Sequence, residues 1–123
     1  MIEFDKLFKG NFVMVSKVVI RELGLEAAVM LSELYSEYLY WEASNGLTEA
    51  GYFYSTMENV KNNTGLTRAR QDSAIKVLEE AGIIKKYVHG MPAKRYFKLI
   101  DSAVKRFNDS GEEDRRSTFQ ARY

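Results

Sequence analysis

Between residues 67 and 81 the chain carries side chains suited to an anionic, grooved partner. Thr67, Arg68, Arg70, Ser73 and Lys76 bring together two guanidinium groups, an ammonium and two hydroxyls. On a helix, Ala69, Ser73, Lys76 and Glu80 share one face, flanked by Arg68 and Arg70. Gln71, Ala74, Ile75 and Leu78 recur at i, i+3, i+4 and i+7 on the other, which predicts a core-facing stripe. Small residues on the polar face would let the helix backbone approach a surface closely. A duplex major groove admits such a helix and is rimmed by phosphates. Thr67 and Arg68 fall at the helix N-terminus, where free N–H groups and the dipole favour a phosphate. Arg70 is the candidate base reader, because a bidentate arginine is the commonest contact to guanine. The same charges also suit an ordinary solvated helix face, and the surrounding elements bear on which reading holds.

Those elements are legible from caps and periods. Ser55 followed by Glu58 has the spacing of a capping box and predicts a short helix. Asn62, Asn63 and Thr64 weaken that helix and Gly65 offers a left-handed exit. Leu66 would pack inward, Thr67 would cap the second helix, and Gly82 would end it. Two helices across a short turn containing glycine form a helix-turn-helix. Upstream, residues 1–10 show no clear period, and Phe12 to Val15 reads as a strand or an extended segment. Ser16 is the expected cap of a short helix ended by Gly24, followed by a longer helix over about Leu25 to Ala43. Tyr35, Tyr38, Tyr40 and Trp41 load that helix with aromatics, and Tyr35, Tyr38 and Trp41 are a candidate partner or dimer surface. Gly51 to Tyr54 reads as a brief aromatic strand. Beyond Gly82 the period falls to two, giving strands over Ile83 to Val88 and Lys94 to Ile100 around a turn at His89 to Pro92. Asp101 would cap a last helix containing Phe107. The expected division is one domain over 1–107 and a flexible charged tail over 108–123.

Composition narrows the chemistry. The chain has 123 residues, 46% apolar and 28% charged, within the range of an ordinary globular domain. It has no cysteine and a single histidine, His89. That excludes disulfides, thiolate catalysis and Cys/His zinc sites. No stretch resembles a signal peptide or a membrane span, so a cytoplasmic protein with no membrane partner is expected. The net charge of +1 conceals a segregation. Residues 1–60 hold four Lys or Arg against nine Asp or Glu, whereas residues 61–100 hold nine against three. Basic charge is thus concentrated in the second helix and the hairpin, on which Lys85, Lys86, Lys94 and Arg95 lie.

Three local signals carry a resemblance to a known family. They are Thr64-Gly65-Leu66-Thr67 before the second helix, the run from Ala74-Ile75 through Leu78 to Gly82-Ile83-Ile84, and the turn and return strand Gly90-Met91-Pro92-Ala93-Lys94-Arg95-Tyr96-Phe97. Over about residues 12–100 the chain resembles winged helix-turn-helix domains. The strand entry Gly51-Tyr52-Phe53-Tyr54-Ser55, Gln71 and the Gly90-x-Pro92-x-Lys94-Arg95-Tyr96 wing look most like the N-terminal domains of phage replisome organisers and plasmid replication initiators. The resemblance implies an α+β, mostly helical fold: a three-helix core, an extra N-terminal helix and a C-terminal β-hairpin wing. It also implies double-stranded DNA as partner. Thr67, Arg68, Arg70, Ser73 and Lys76 would serve the groove, and Lys85, Lys86, Lys94 and Arg95 the adjacent backbone or minor groove. A homodimer or a contact with a replisome protein is compatible with it. In such families a separate C-terminal region makes such contacts; 123 residues leave no room for one, so the expectation is either a fragment or a short mobile-element protein confined to DNA binding and dimerisation.

Two other readings stand beside this one. A transcriptional regulator would place the same chemistry in the same groove. A protein-interaction module is suggested by the acidic N-terminal half, by the aromatic helix, and by Asp72, Glu79 and Glu80 on the second helix. No enzyme is expected, and no metal or cofactor, because no Gly-rich phosphate loop, nucleophile pair or ligand cluster is present. Glu33 and Glu37 share a helix face at i, i+4, a spacing read here as solvated surface.

Overall fold

Helix boundaries are set by side-chain caps and left-handed glycines. The computed structural model describes residues 1–109. Helix α1 (Ile2–Lys9) precedes α2 (Lys17–Leu23), where the Ser16 hydroxyl accepts a hydrogen bond from the Val19 N–H at 3.3 Å. Helix α3 (Leu25–Ala43) follows and has the expected bounds. A two-residue strand, β1 (Phe53–Tyr54), leads into α4 (Met57–Thr64) and α5 (Arg68–Glu80). Strands β2 (Ile84–His89) and β3 (Lys94–Leu99) form the hairpin, and a 3₁₀ turn (Asp101–Val104) runs into helical residues 105–109. Helix α5 ends in a Schellman motif: Gly82 at φ +76° donates to the Glu79 carbonyl, and Ile83 donates to that of Leu78.

The strands form one antiparallel sheet in the order β1-β3-β2. Phe53 pairs with Phe97, which in turn stands opposite Lys86. Alternation therefore points Phe53, Ile84 and Phe97 at the helices, and all three are buried. They meet Met30 and Leu34 of α3, Val60 of α4, and Ile75 and Leu78 of α5 in one core. Gln71, Ala74, Ile75 and Leu78 are the buried residues of α5, as their spacing predicts. The result is an α+β, mostly helical, winged-helix-like arrangement.

Several expectations are corrected. The cap of α4 is Thr56, which accepts from the Asn59 N–H at 3.0 Å, so the box at Ser55 and Glu58 does not form. Ser55 is instead held extended and buried, because its N–H donates to the Arg95 carbonyl and prolongs the pairing of β1 with β3. Residues 2–9 form a helix rather than an irregular lead, and Phe12 to Val15 pairs with no strand. Asp101 lies inside the last turn, which Ile100 precedes without a side-chain cap. Residues 108 and 109 are still helical, and the rest of the expected tail lies outside the described residues.

The polar groups of the core are the largest departure. Gln71 is fully buried on the apolar stripe of α5, with Nε2 donating to the carbonyls of Met57 and Leu66, each at 2.9 Å. Its Oε1 accepts from Arg95 Nη1 at 3.1 Å, and Arg95 Nε donates to the Ser55 carbonyl at 3.2 Å. Two carbonyls and a guanidinium admit only this orientation of the amide. Glu33 and Glu37 are buried rather than solvated, because their face of α3 turns towards α4 and β1. Glu33 accepts from Asn63 Nδ2 at 3.0 Å. Burial, and secondarily the adjacent Glu33, push the Glu37 carboxyl up to about 8, while the Ser55 hydroxyl and the Arg95 guanidinium pull the other way. Burial also lowers Arg95, opposed by the carboxylates of Glu37 and Asp72.

Replacing Gln71 by Leu keeps volume but strands two carbonyls and one guanidinium. It should cost about 2–4 kcal/mol, read as a lower urea midpoint at unchanged slope. A loss below about 0.5 kcal/mol would mean that water serves those groups equally well. Glu37 makes a prediction of opposite sign. Its folded-state value lies above its ordinary 4.5, so the native state keeps a proton that the unfolded chain releases as pH rises from 4.5 towards 8. Stability should therefore fall across that window and level off above it. Glu37→Gln should flatten the profile, matching the parent near the lower limit and exceeding it by a few kcal/mol, to order of magnitude, at the upper one. Parallel denaturation curves for the two proteins across the window would overturn the assignment.

Candidate nucleic-acid interface

The turn before α5 is fixed by its own side chains. The Thr64 hydroxyl donates to the Val60 carbonyl at 2.6 Å and accepts from the Leu66 N–H at 3.1 Å. Gly65 takes φ +79°, and its N–H caps the Lys61 carbonyl at 2.7 Å. Leu66 is driven into the core, and Thr67 then caps α5 by accepting from the Arg70 N–H at 3.4 Å. This local sequence delivers the first turn of α5 to solvent. Thr67, Arg68, Arg70, Ser73 and Lys76 are all exposed, on one continuous helix surface with Ala69.

Arg70 differs from expectation in one respect. Its Nε lies 3.5 Å from Glu26 Oε1, tying the guanidinium to the start of α3. Both partners are largely exposed, so the pair contributes only about 0–1 kcal/mol and can be exchanged for another acceptor. Asp72, Glu79 and Glu80 are also exposed on α5. With both glutamates at its end, the cationic and hydroxyl-bearing surface is confined to residues 67–76, where Asp72 is the one carboxylate.

The hairpin separates its basic residues onto two faces. Lys86 and Arg95 lie on the helix side, each partly buried, and Lys85 and Lys94 are exposed on the outer side. Arg95 does not project as a wing contact. It is taken up by Gln71 and Ser55, with its guanidinium 5.0 Å from the Phe97 ring centroid. Lys98, absent from the sequence-derived set, joins Lys85 and Lys94 on the outer face, along with Tyr87 and Tyr96. Period-two alternation in β3 could have placed Lys98 and Tyr96 there, but only the register with β1 and β2 assembles the neighbours. Among them, β1, β2 and β3 carry five Lys or Arg and no carboxylate.

The aromatic load of α3 is divided as well. Tyr38 and Trp41 pack against the core, Tyr38 edge-on to Phe53 at 6.2 Å and hydrogen-bonded to Glu42. Trp41 is roofed by Gly46, where an added Cβ would come within 2.3 Å of the ring. Tyr35 remains exposed and stacks on Tyr38 at 6.4 Å and 16°, Tyr40 is exposed as well, and Trp41 is partly buried. A recess between α3 and α4 is lined by Glu33, Glu37, Asn59 and Asn63, a carboxylate-rich wall unsuited to an anion. No helix among the described residues is long and apolar enough to cross a membrane.

In sequence the chain matches no family model and no curated protein. In structure it is similar to an N-terminal domain of a DNA-binding protein, with a TM-score of 0.60 at 16% identity over 78% of this chain and 79% of that one. It is also similar to a chain from a Rep–DNA complex, with a TM-score of 0.61 at the same identity and coverage. At this identity the likeness speaks for a shared fold.

Proposed function

We propose that the protein binds double-stranded DNA, with the start of α5, residues 67–76, in the major groove and the tip of the β2–β3 hairpin on the adjacent backbone. One observation carries the reading: over residues 67–76 the start of α5 turns an exposed face of small, hydroxyl and cationic residues, interrupted only by Asp72, to solvent beside a hairpin without carboxylates. Thr67 and Arg68 meet a phosphate at the helix N-terminus, while Ser73 and Lys76 line the groove. Arg70 exchanges Glu26 for a base edge. Lys94, and Lys85 behind it, add affinity without sequence choice. The shared fold with a chain from a Rep–DNA complex is compatible with this use. A role in starting replication of a phage-like or plasmid-like element follows from the resemblance in sequence. Regulation of transcription would use the same surface. No chemistry on the DNA is proposed.

A second, concurrent role in protein contact is favoured by α1. That helix buries no residue and exposes Phe4, Leu7 and Phe8 on one face. Such a helix face is suited to a second copy or another replication protein.

Selection from a random duplex pool, repeated over a salt series, tests the main reading. Enrichment of one motif with steep salt dependence is expected; weak, unselective binding at low salt would refute it. On the selected site Arg70→Ala should cost roughly 1–3 kcal/mol and relax one base position. Lys94→Ala should instead weaken all duplexes alike and flatten the salt slope by about one counterion. A sequence-selective loss at Lys94 would reverse the two roles.

A further inference from the structure

The sheet face turned away from the helices carries, besides Lys85 and Lys94, features that neither the core nor the duplex surface uses. Strand alternation places Tyr54, Tyr87 and Tyr96 on it, and Tyr52, just ahead of β1, joins them. The four rings touch in a row. Tyr52 meets Tyr87 edge-on at 4.7 Å between centroids, Tyr87 stacks on Tyr96 at 4.9 Å and 9°, and Tyr96 meets Tyr54 at 5.8 Å. An ammonium stands at each end, Lys98 Nζ 5.9 Å from the Tyr52 ring and Lys94 Nζ 5.4 Å from that of Tyr54. Tyr87 is 38% exposed and the other three rings are partly exposed.

Cross-strand tyrosine pairs steady a small sheet, but packing alone does not require cations at both ends of the row or the lack of carboxylates on its strands. Aromatic rings flanked by lysines match what an unpaired nucleic-acid strand offers, free base faces joined by phosphates. A duplex hides its base faces in its own stack, so this surface has nothing to read there. A second copy of the chain, laid face to face, would bring lysines against lysines. We propose that the outer face of the sheet binds single-stranded nucleic acid, stacking bases on the tyrosines and holding phosphates with Lys94 and Lys98. The site is separate from α5, shares Lys94 with the proposed duplex surface, and does not rest on the duplex reading.

The test is fluorescence anisotropy of the full chain with a short labelled oligothymidylate and, in parallel, with a duplex. The parent should bind the oligothymidylate at low salt. Tyr87→Ala should weaken that binding at least about tenfold, Tyr87→Phe should retain it because the ring remains, and neither should alter duplex binding. Arg68→Ala should leave the oligothymidylate result unchanged, so failure at one face is distinguishable from failure at the other. Circular dichroism melting checks that Tyr87→Ala is folded. Should it not be, Lys98→Ala carries the test, with a loss of about threefold or more and a shallower salt slope. The proposal is overturned if the parent does not bind oligothymidylate, or if binding is lost in Arg68→Ala and kept in Tyr87→Ala. It is also overturned if the tyrosine variant changes only the sedimentation coefficient, which would mark the face as a contact between copies.

Discussion

The buried amide of Gln71 is the contact on which the rest of the structure depends. It bonds to the start of α4 through Met57, to the turn through Leu66, and to the hairpin through Arg95. Three pieces of chain distant in sequence are thereby referred to one side chain on α5. A buried amide stabilises only when all its bonds are made, so the contact is intolerant of small displacements of any partner. That intolerance serves geometry: the exposed face of α5 and the hairpin beside it are held in one fixed relation. An apolar residue here could fill the volume but would specify no such relation.

Arg95 extends the constraint to α3. It is drawn on by the Gln71 amide and the Ser55 carbonyl, and it faces the carboxylates of Glu37 and Asp72. Glu37 and Arg95 nevertheless leave Oε2 and Nη2 buried without hydrogen-bond partners, as does the Ser55 hydroxyl. Their mutual attraction offsets only part of the desolvation, because incompletely bonded buried charges rarely recover their hydration. The raised Glu37 carboxyl records the same imbalance, since a proton there relieves a charge that the surroundings do not fully satisfy. This cluster fixes position more than it adds stability.

Local chemistry made much of the fold legible in sequence. The bounds of α3, the left-handed exit at Gly65, the Thr67 cap and the Schellman end at Gly82 all depend on residues within a few positions of each other. The errors arose where a distant partner overrode a local preference. Ser55 had the spacing of a cap, but the pairing of β1 with β3 claimed it and moved the cap to Thr56. Glu33 and Glu37 had the spacing of a solvated pair, but α4 and β1 covered them. Arg95 shows the same effect at the candidate site. Its charge identified it as a wing contact, whereas its place in β3, two residues from Phe97 on the same face, turned it inward.

Register therefore decides which chemistry this sheet displays. Side chains alternate along a strand, so a slip of one residue in β3 would exchange every inward group for an outward one. Phe97 and Arg95 would face solvent, and Lys94, Tyr96 and Lys98 would press into the core. The pairing of Phe53 with Phe97 opposes such a slip through buried area. The Gln71–Arg95–Ser55 contacts oppose it through hydrogen bonds that only the native register can make. One set of inward contacts thus holds the outward set in place. The same alternation that takes Arg95 away from the hairpin surface leaves a row of tyrosines ended by lysines on it. Strand composition supplied the basic and aromatic residues, and pairing sorted them into a clamp on one face and an outward row of rings and ammonium groups on the other.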